Sequence, residues 1–254
     1  MATSDYKFPT EIVELPSKGR IYPSTSPLSS GEIEMRFMTA REEDILTNPN
    51  YIQKGVGFML DKLLKSLIVS NVDIDELIEG DKSKIVLAAR ILSYGKDYTF
   101  KMTSPFTGKE VTVTADLQLL EDKELIEFES GKNEFMFTLP TSKVPVTFKI
   151  LNGYDNKKID EEIKGLKKIY PDENFENTVR LKHLITSVDG VYDNSTIRSF
   201  VDNKLLAMDS RALKRHIKNI SPDVITKFTY KEDGDSEEGV DIPFNLFDMF
   251  FPQS

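Results

Sequence analysis

The chain reads as an α+β fold in which amphipathic helices alternate with β-hairpins behind an extended N-terminal arm. Three observations predict it. Between Val56 and Val69 the residues Val56, Met59, Leu60, Leu63, Leu64, Leu67 and Ile68 recur at helical spacing, with Asp61, Lys62, Lys65 and Ser66 on the opposite face. Tyr98–Met102 and Val111–Thr114 are rich in β-formers and flank Ser104-Pro105-Phe106-Thr107-Gly108, which is the pattern of a hairpin. Near the end, Phe228-Thr229-Tyr230 and Val240-Asp241-Ile242 bracket the polar turn Glu232–Ser236 in the same way.

The first element is the arm. Pro9, Pro16, Pro23 and Pro27 forbid a helix in the first thirty residues, so this stretch is extended. Its apolar side chains, among them Phe8, Ile12, Val13, Leu15, Ile21 and Tyr22, predict that it docks on its own domain or on another protein. Glu32–Phe37 alternates polar and apolar and predicts a half-buried strand with Ile33, Met35 and Phe37 inward. Thr39-Ala40-Arg41-Glu42 is a capping box that opens a helix, and Asn48-Pro49 ends it. After the helix at 56–69 comes an acidic turn from Asp73 to Glu79, then a helix from about Ser83 to Tyr94 closed by Gly95.

The first hairpin is followed by a second, with strands at Glu134–Leu139 and Val144–Leu151 around Pro140-Thr141-Ser142. Asn156 to Tyr170 is charged with a thin apolar stripe, and further helices are expected at Thr178–Val188, Ser195–Leu206 and Asp209–Ile220, the last with Asp209 as its N-cap. Phe100 precedes Val111 by eleven residues and Phe228 precedes Val240 by twelve, so a helices-then-hairpin unit is expected twice, over about 55–117 and 178–246. The expected organisation is an arm at 1–30, a helical unit ending in a hairpin at 31–117, a β-rich connection at 118–152, and a second helical unit with hairpin and aromatic tail at 153–254.

Composition limits the chemistry. At 254 residues the chain can bury a substantial core. It carries 33 Lys and Arg against 42 Asp and Glu, a formal charge of −9 that disfavours nucleic-acid binding by the surface as a whole. Cysteine is absent, which removes disulfides, thiol nucleophiles and cysteine-ligated metals. No apolar run reaches the roughly 20 residues of a membrane span and the N-terminus has no signal-peptide pattern, so a cytosolic protein is expected.

A catalytic reading finds little support. Gly55-Val56-Gly57 lacks the third glycine of a dinucleotide loop and no strand precedes it, and no Walker loop, nucleophile elbow or His-Glu-x-x-His is present. His183 and His216 have no orienting partner implied by sequence, and no carboxylate pair stands out from the rest. The acidic turn at 233–238 lacks the alternating ligands of a calcium loop, so no cofactor or metal is expected. Arg211, Lys214, Arg215 and Lys218 form a basic stripe opposite Leu213, Ile217 and Ile220, a candidate face for nucleic acid or, better, for a protein. The apolar C-terminus, with Phe244, Leu246, Phe247, Met249, Phe250 and Phe251, must pack in a core or against a partner. Phe8, Ile21, Tyr22, Phe247, Phe250 and Phe251 are the candidate partner-binding anchors.

Several runs resemble one family: Leu15-Pro16-Ser17-Lys18-Gly19-Arg20-Ile21-Tyr22-Pro23, Gly31–Arg36, Met38–Leu46 and Leu60-Asp61-Lys62-Leu63-Leu64, with a looser match at Met208-Asp209-Ser210-Arg211 and Phe250-Phe251-Pro252. Together they are similar to the baseplate hub assembly proteins of T-even-like contractile-tailed bacteriophages. The resemblance implies a non-enzymatic protein that helps build the baseplate hub, at the junction of tail tube and baseplate, with other hub or tail proteins as partners. It implies a location in the virion and, during assembly, in the host cytoplasm. A transient assembly chaperone absent from the virion, or a nucleic-acid-binding regulator, are the alternatives. Members of the family often carry paired cysteines at the two hairpins, like zinc knuckles. Here the tips at 104–108 and 232–238 have none, which implies hairpins held by packing and turn hydrogen bonds.

Overall fold

The computed structural model describes residues 9–125, 129–231 and 239–250, and its α+β architecture is built around two apolar cores. The first gathers the N-terminal segment, two helices and the end of the chain. Strand β1 (Thr10–Glu14) pairs antiparallel with β2 (Glu32–Arg36), placing Val13 opposite Ile33. Alternation buries Ile33 and Met35 fully, as the pattern predicts, while Phe37 is half-buried. Of the two docking partners expected for the arm, it takes its own domain: β1 and the turns after it wrap onto the chain's own core, because Leu15, Ile21, Tyr22 and Leu28 have more apolar surface there than solvent would tolerate.

Helix α1 (Ala40–Thr47) opens at Thr39, whose backbone N–H and hydroxyl both donate to the Glu42 carboxylate, at 3.0 and 2.6 Å. Glu42 also receives two bonds from the Arg36 guanidinium, at 2.7 and 3.2 Å. Burial raises its pKa, but Arg36 and Thr39 outweigh this and hold the carboxyl at about 2. Asn48 ends α1 and caps a short helix, α2 (Pro49–Gln53), that the sequence reading leaves out. Helix α3 (Val56–Leu67) buries Met59, Leu60, Leu63, Leu64 and Leu67, the expected stripe.

Helix α4 runs from Glu79 to Tyr94 and starts a full turn before the expected Ser83. Gly80 and Asp81 resemble turn residues in sequence, yet Gly80 is required by packing. A Cβ there would lie 1.8 Å from the carbonyl oxygen of Pro222, so the chain can cross the helix start only over a glycine. The first hairpin, β3 (Asp97–Thr103) with β4 (Glu110–Asp116), forms in the expected place.

The second core lies under a three-stranded antiparallel sheet. Strands β5 (Phe135–Thr138) and β6 (Pro145–Phe148) form the middle hairpin, shorter than expected, and β6 also pairs with β7 (Ile185–Val188), with a register shift at Thr147/Phe148. Ile185–Val188 is therefore a strand and not the end of a helix. Its β-branched residues Ile185, Thr186 and Val188 accept either state, and the open edge of β6 selects the extended one. Helix α5 (Gly153–Ile169) is capped by Asn152, and α6 (Glu176–Leu184) and α7 (Asn194–Asn203) precede α8 (Ala207–Ile220). Residue Leu206, not Asp209, is the N-cap of α8, and Asp209 stands inside the first turn.

The last hairpin, β8 (Lys227–Tyr230) with β9 (Val240–Pro243), and the 3-10 turn Leu246–Phe250 return to the first core. The second core spans 139–220, and the chain beyond Ile220 closes on the N-terminal half. The two outer hairpins face each other through Phe100 and Phe228, edge to face at 5.4 Å, and through Phe106 and Tyr230 at 6.0 Å.

Candidate protein-binding site

The motif Leu15–Pro23 winds into a series of turns whose backbone carbonyls at Leu15, Ser17 and Gly19 accept from Lys18, Arg20 and Tyr22. Gly19 is at φ +72°, and a Cβ there would meet the Ser29 carbonyl oxygen at 2.4 Å. This shape presents three donors to one carboxylate. Asp81, with no exposed surface, accepts from the Ser17 N–H at 2.9 Å, the Ser17 hydroxyl at 2.7 Å and the Tyr22 hydroxyl at 2.6 Å. The Tyr22 oxygen in turn accepts from the Ile78 N–H at 3.2 Å. Burial raises the Asp81 carboxyl above its ordinary value against the pull of Tyr22 and Ser17, and burial with the Asp81 charge drives the Tyr22 phenol far upward.

Two expected anchors, Ile21 and Tyr22, are therefore core residues, 2% and 5% exposed. Phe250 is likewise 5% exposed and packs edge-on against Tyr94 at 6.4 Å, while the Arg90 Nε donates to the Met249 carbonyl at 2.8 Å and locks the tail down. In this conformation these three hold the chain's own fold and offer a partner no surface. Phe8 and Phe251 lie outside the described residues, as does the side chain of Phe247.

One open surface lies between the two outer hairpins. The Ser104 N–H donates to Lys109 at 2.8 Å and the Leu117 N–H to Lys96 at 2.9 Å, so by antiparallel alternation Thr112, Thr114 and Asp116 turn their backbone groups away from β3. The Phe244 N–H donates to Thr226 at 3.1 Å, so Lys227 and Thr229 turn theirs away from β9. At their base the two hairpins are joined by short antiparallel pairing: Ile225 donates to Glu121 and Lys123 to Asp223, each at 2.8 Å. Above that junction β4 and β8 flank an open groove of about 640 Å³. Its lining combines Leu120, Ile225, Phe228 and Leu119, which is 76% exposed, with the charged Asp116, Glu121, Lys227 and Asp241. The β4 tip is held by its own turn: the Ser104 hydroxyl oxygen accepts from the Phe106 and Thr107 N–H groups at 3.2 Å each. The other tip, at 232–238, and with it the acidic stretch weighed as a calcium loop, lies outside the described residues.

The histidines take part in packing. His183 pairs with Glu162 at 2.9 Å, and Glu162 also holds Arg198 through two bonds, joining α5 to α6 and α7. Arg198 is the main reason the Glu162 carboxyl sits at about 2. His216 stacks on Phe137 at 4.6 Å, and burial lowers its pKa. Among the described residues, no group of three or more His, Asp or Glu is placed to hold a metal, and no helix is long and apolar enough to cross a membrane. The basic stripe is exposed along α8, with Leu213 and Ile220 buried behind it and Ile217 half-buried.

Sequence reading missed Asp81, one of the two carboxylates that organise the loops, and gave the other, Asp209, the role of an N-cap. Asp209 accepts from the Thr141 and Ser142 N–H groups at 2.7 and 3.0 Å. Asp209 also belongs to one of the runs resembling the phage family, whereas nothing in composition or periodicity distinguishes Asp81 from its acidic neighbours.

A family model described as T4 bacteriophage base plate protein matches residues 9–244, nearly the whole chain. No curated protein and no solved structure gives a significant match. The match spans the second core, both outer hairpins and all of the first core before Leu246. The chain belongs to the T4 bacteriophage base plate protein family, and is a structural protein of the phage tail baseplate whose contacts are with other baseplate proteins.

Proposed function

We propose that the chain is a non-enzymatic component of the baseplate hub, at the junction of tail tube and baseplate, and that it joins other hub or tail proteins in the virion after assembly in the host cytoplasm. The hub assignment is supported by the N-terminal runs Leu15–Pro23 and Met38–Leu46, which resemble hub assembly proteins in particular. Its mode of action is supported by one observation above the others, the outward-facing backbone of β4 and β8 on either side of a groove lined by both apolar and charged side chains. Unpaired strand edges beside apolar surface are what another chain uses to add a strand. A catalytic role gains nothing from the histidines, since both are engaged in helix and sheet packing.

Mass spectrometry of purified phage particles beside tail-assembly intermediates tests the reading. Peptides of this chain at a fixed copy number in the finished particle are the expected result. Their presence in intermediates alone would replace a structural hub component with an assembly chaperone that leaves.

A further inference from the structure

A second cleft, of about 420 Å³, opens between α6, α8 and the connection from β6 to α5, away from the hairpin groove. Its floor is apolar, from Ile150, Leu184 and Ile217, and its rim carries Arg180, Lys214 and Lys218 against the one carboxylate of Glu79. Neutral amides hold two of the cations. Both terminal guanidinium nitrogens of Arg180 donate to Asn156 Oδ1 at 3.3 Å, and Lys214 Nζ donates to Asn177 Oδ1 at 2.8 Å. An amide oxygen fixes the direction of a cation without neutralising it. Lys218 faces Asp223, but Lys123 stands beside that same carboxylate and offsets it. On a chain of formal charge −9, this cleft keeps an excess of positive charge over an apolar floor.

We propose that this cleft receives an acidic, apolar segment of a neighbouring baseplate protein. An apolar side chain rests on Ile150, Leu184 and Ile217, and flanking carboxylates meet Arg180, Lys214 and Lys218. Charge complementarity of this kind selects a partner and speeds its approach. Nucleic acid fits less well, because the floor has no polar group to read a base and Glu79 would face the phosphates. The inference rests on the reading of the chain as a baseplate component in contact with its neighbours.

The test uses the full labelled chain on an array of overlapping peptides tiling the tail proteins of the same phage, beside labelled single-stranded DNA and RNA. The strongest peptides are expected to carry two or more carboxylates around an apolar residue. Their signal should fall by about tenfold in Lys214→Glu/Lys218→Glu, the effect of two lost charge pairs, and should weaken with salt in the wild type. Circular dichroism and melting confirm that the variant is folded, and Arg180→Gln/Lys214→Gln serves if it is not. Peptides that survive both variants, or an array with no bound peptide, would overturn the cleft as a docking site while leaving the virion measurement to decide the hub reading. Binding of the oligonucleotides, lost in the variants, would overturn it in favour of nucleic acid.

Discussion

Asp81 and Asp209 are the same device used once in each core. Each is the third residue of its helix, each has no exposed surface, and each takes hydrogen bonds from a loop more than sixty residues away in sequence. Their titration nevertheless runs in opposite directions. Asp81 has no exposed surface, and burial raises its pKa despite three donors. At Asp209 the bonds from Thr141 and Ser142 together outweigh burial and its pKa falls. Hydrogen bonds to a carboxylate therefore do not by themselves determine its charge preference; their balance against the cost of burial does.

The comparison breaks most visibly at Asp81. Asp81→Ala leaves two hydroxyls and an N–H buried without an acceptor, and unfolding in urea at neutral pH is expected to show a loss of about 4 kcal/mol. A loss below about 1 kcal/mol would mean that Ser17 and Tyr22 find other partners. Phe250→Ala, which opens a cavity in the first core only, should cost about 3 kcal/mol. Hydrogen exchange in that variant is expected to quicken in α3 and α4 and stay slow in α6 to α8; uniform acceleration would show that the cores unfold together. Asp209→Ala removes the acceptor of two N–H groups near the surface, where water can substitute, and should cost about 2 kcal/mol in the same urea assay.

The smallest and sharpest test is the pH dependence. Asp209 is depressed in the folded state, so its contribution is full above the ordinary carboxylate value of about 3.9 and is lost as pH falls through the folded value. Asp81 is raised, so its contribution is greatest below that ordinary value and declines as pH rises through the folded one. The stability gap between wild type and Asp209→Asn should widen from pH 3 to pH 7, while the gap for Asp81→Asn narrows. Parallel slopes would erase the distinction between the two sites. Glu42 and Glu162, both at about 2, add a common loss of stability between about pH 4.5 and pH 2 that cancels in these differences.

Much of the fold was legible in sequence. The strand at Ile33 and Met35, the helix from Val56, the capping box at Glu42 and the three hairpins each carry a local signature of period, cap or turn. The resemblance to phage baseplate proteins was legible for the same reason, since Leu15–Pro23 is a continuous run whose turns and glycine are needed wherever Asp81 must be clamped. The errors share one cause. Gly80, Ile185–Val188 and Asp209 take their conformations from groups far along the chain: the Pro222 carbonyl, the edge of β6 and the N–H groups of Thr141 and Ser142.

The candidate site divides along the same line. Apolar content alone marked Ile21, Tyr22 and Phe250 as residues that must be covered, and covered they are, but whether by a partner or by the chain itself is not a property of composition. Helical spacing marked Lys214 and Lys218, yet only the approach of Arg180 from α6, over the floor made by Ile150 and Leu184, turns a wet helix face into a cleft. The order of amino acids alone set the elements, the net charge and the apolar residues that had to find cover, because local periodicity and burial free energy act on side chains one at a time. Which surfaces stay open was settled by the folded arrangement, because an open surface is what remains after every element has found its place against the others.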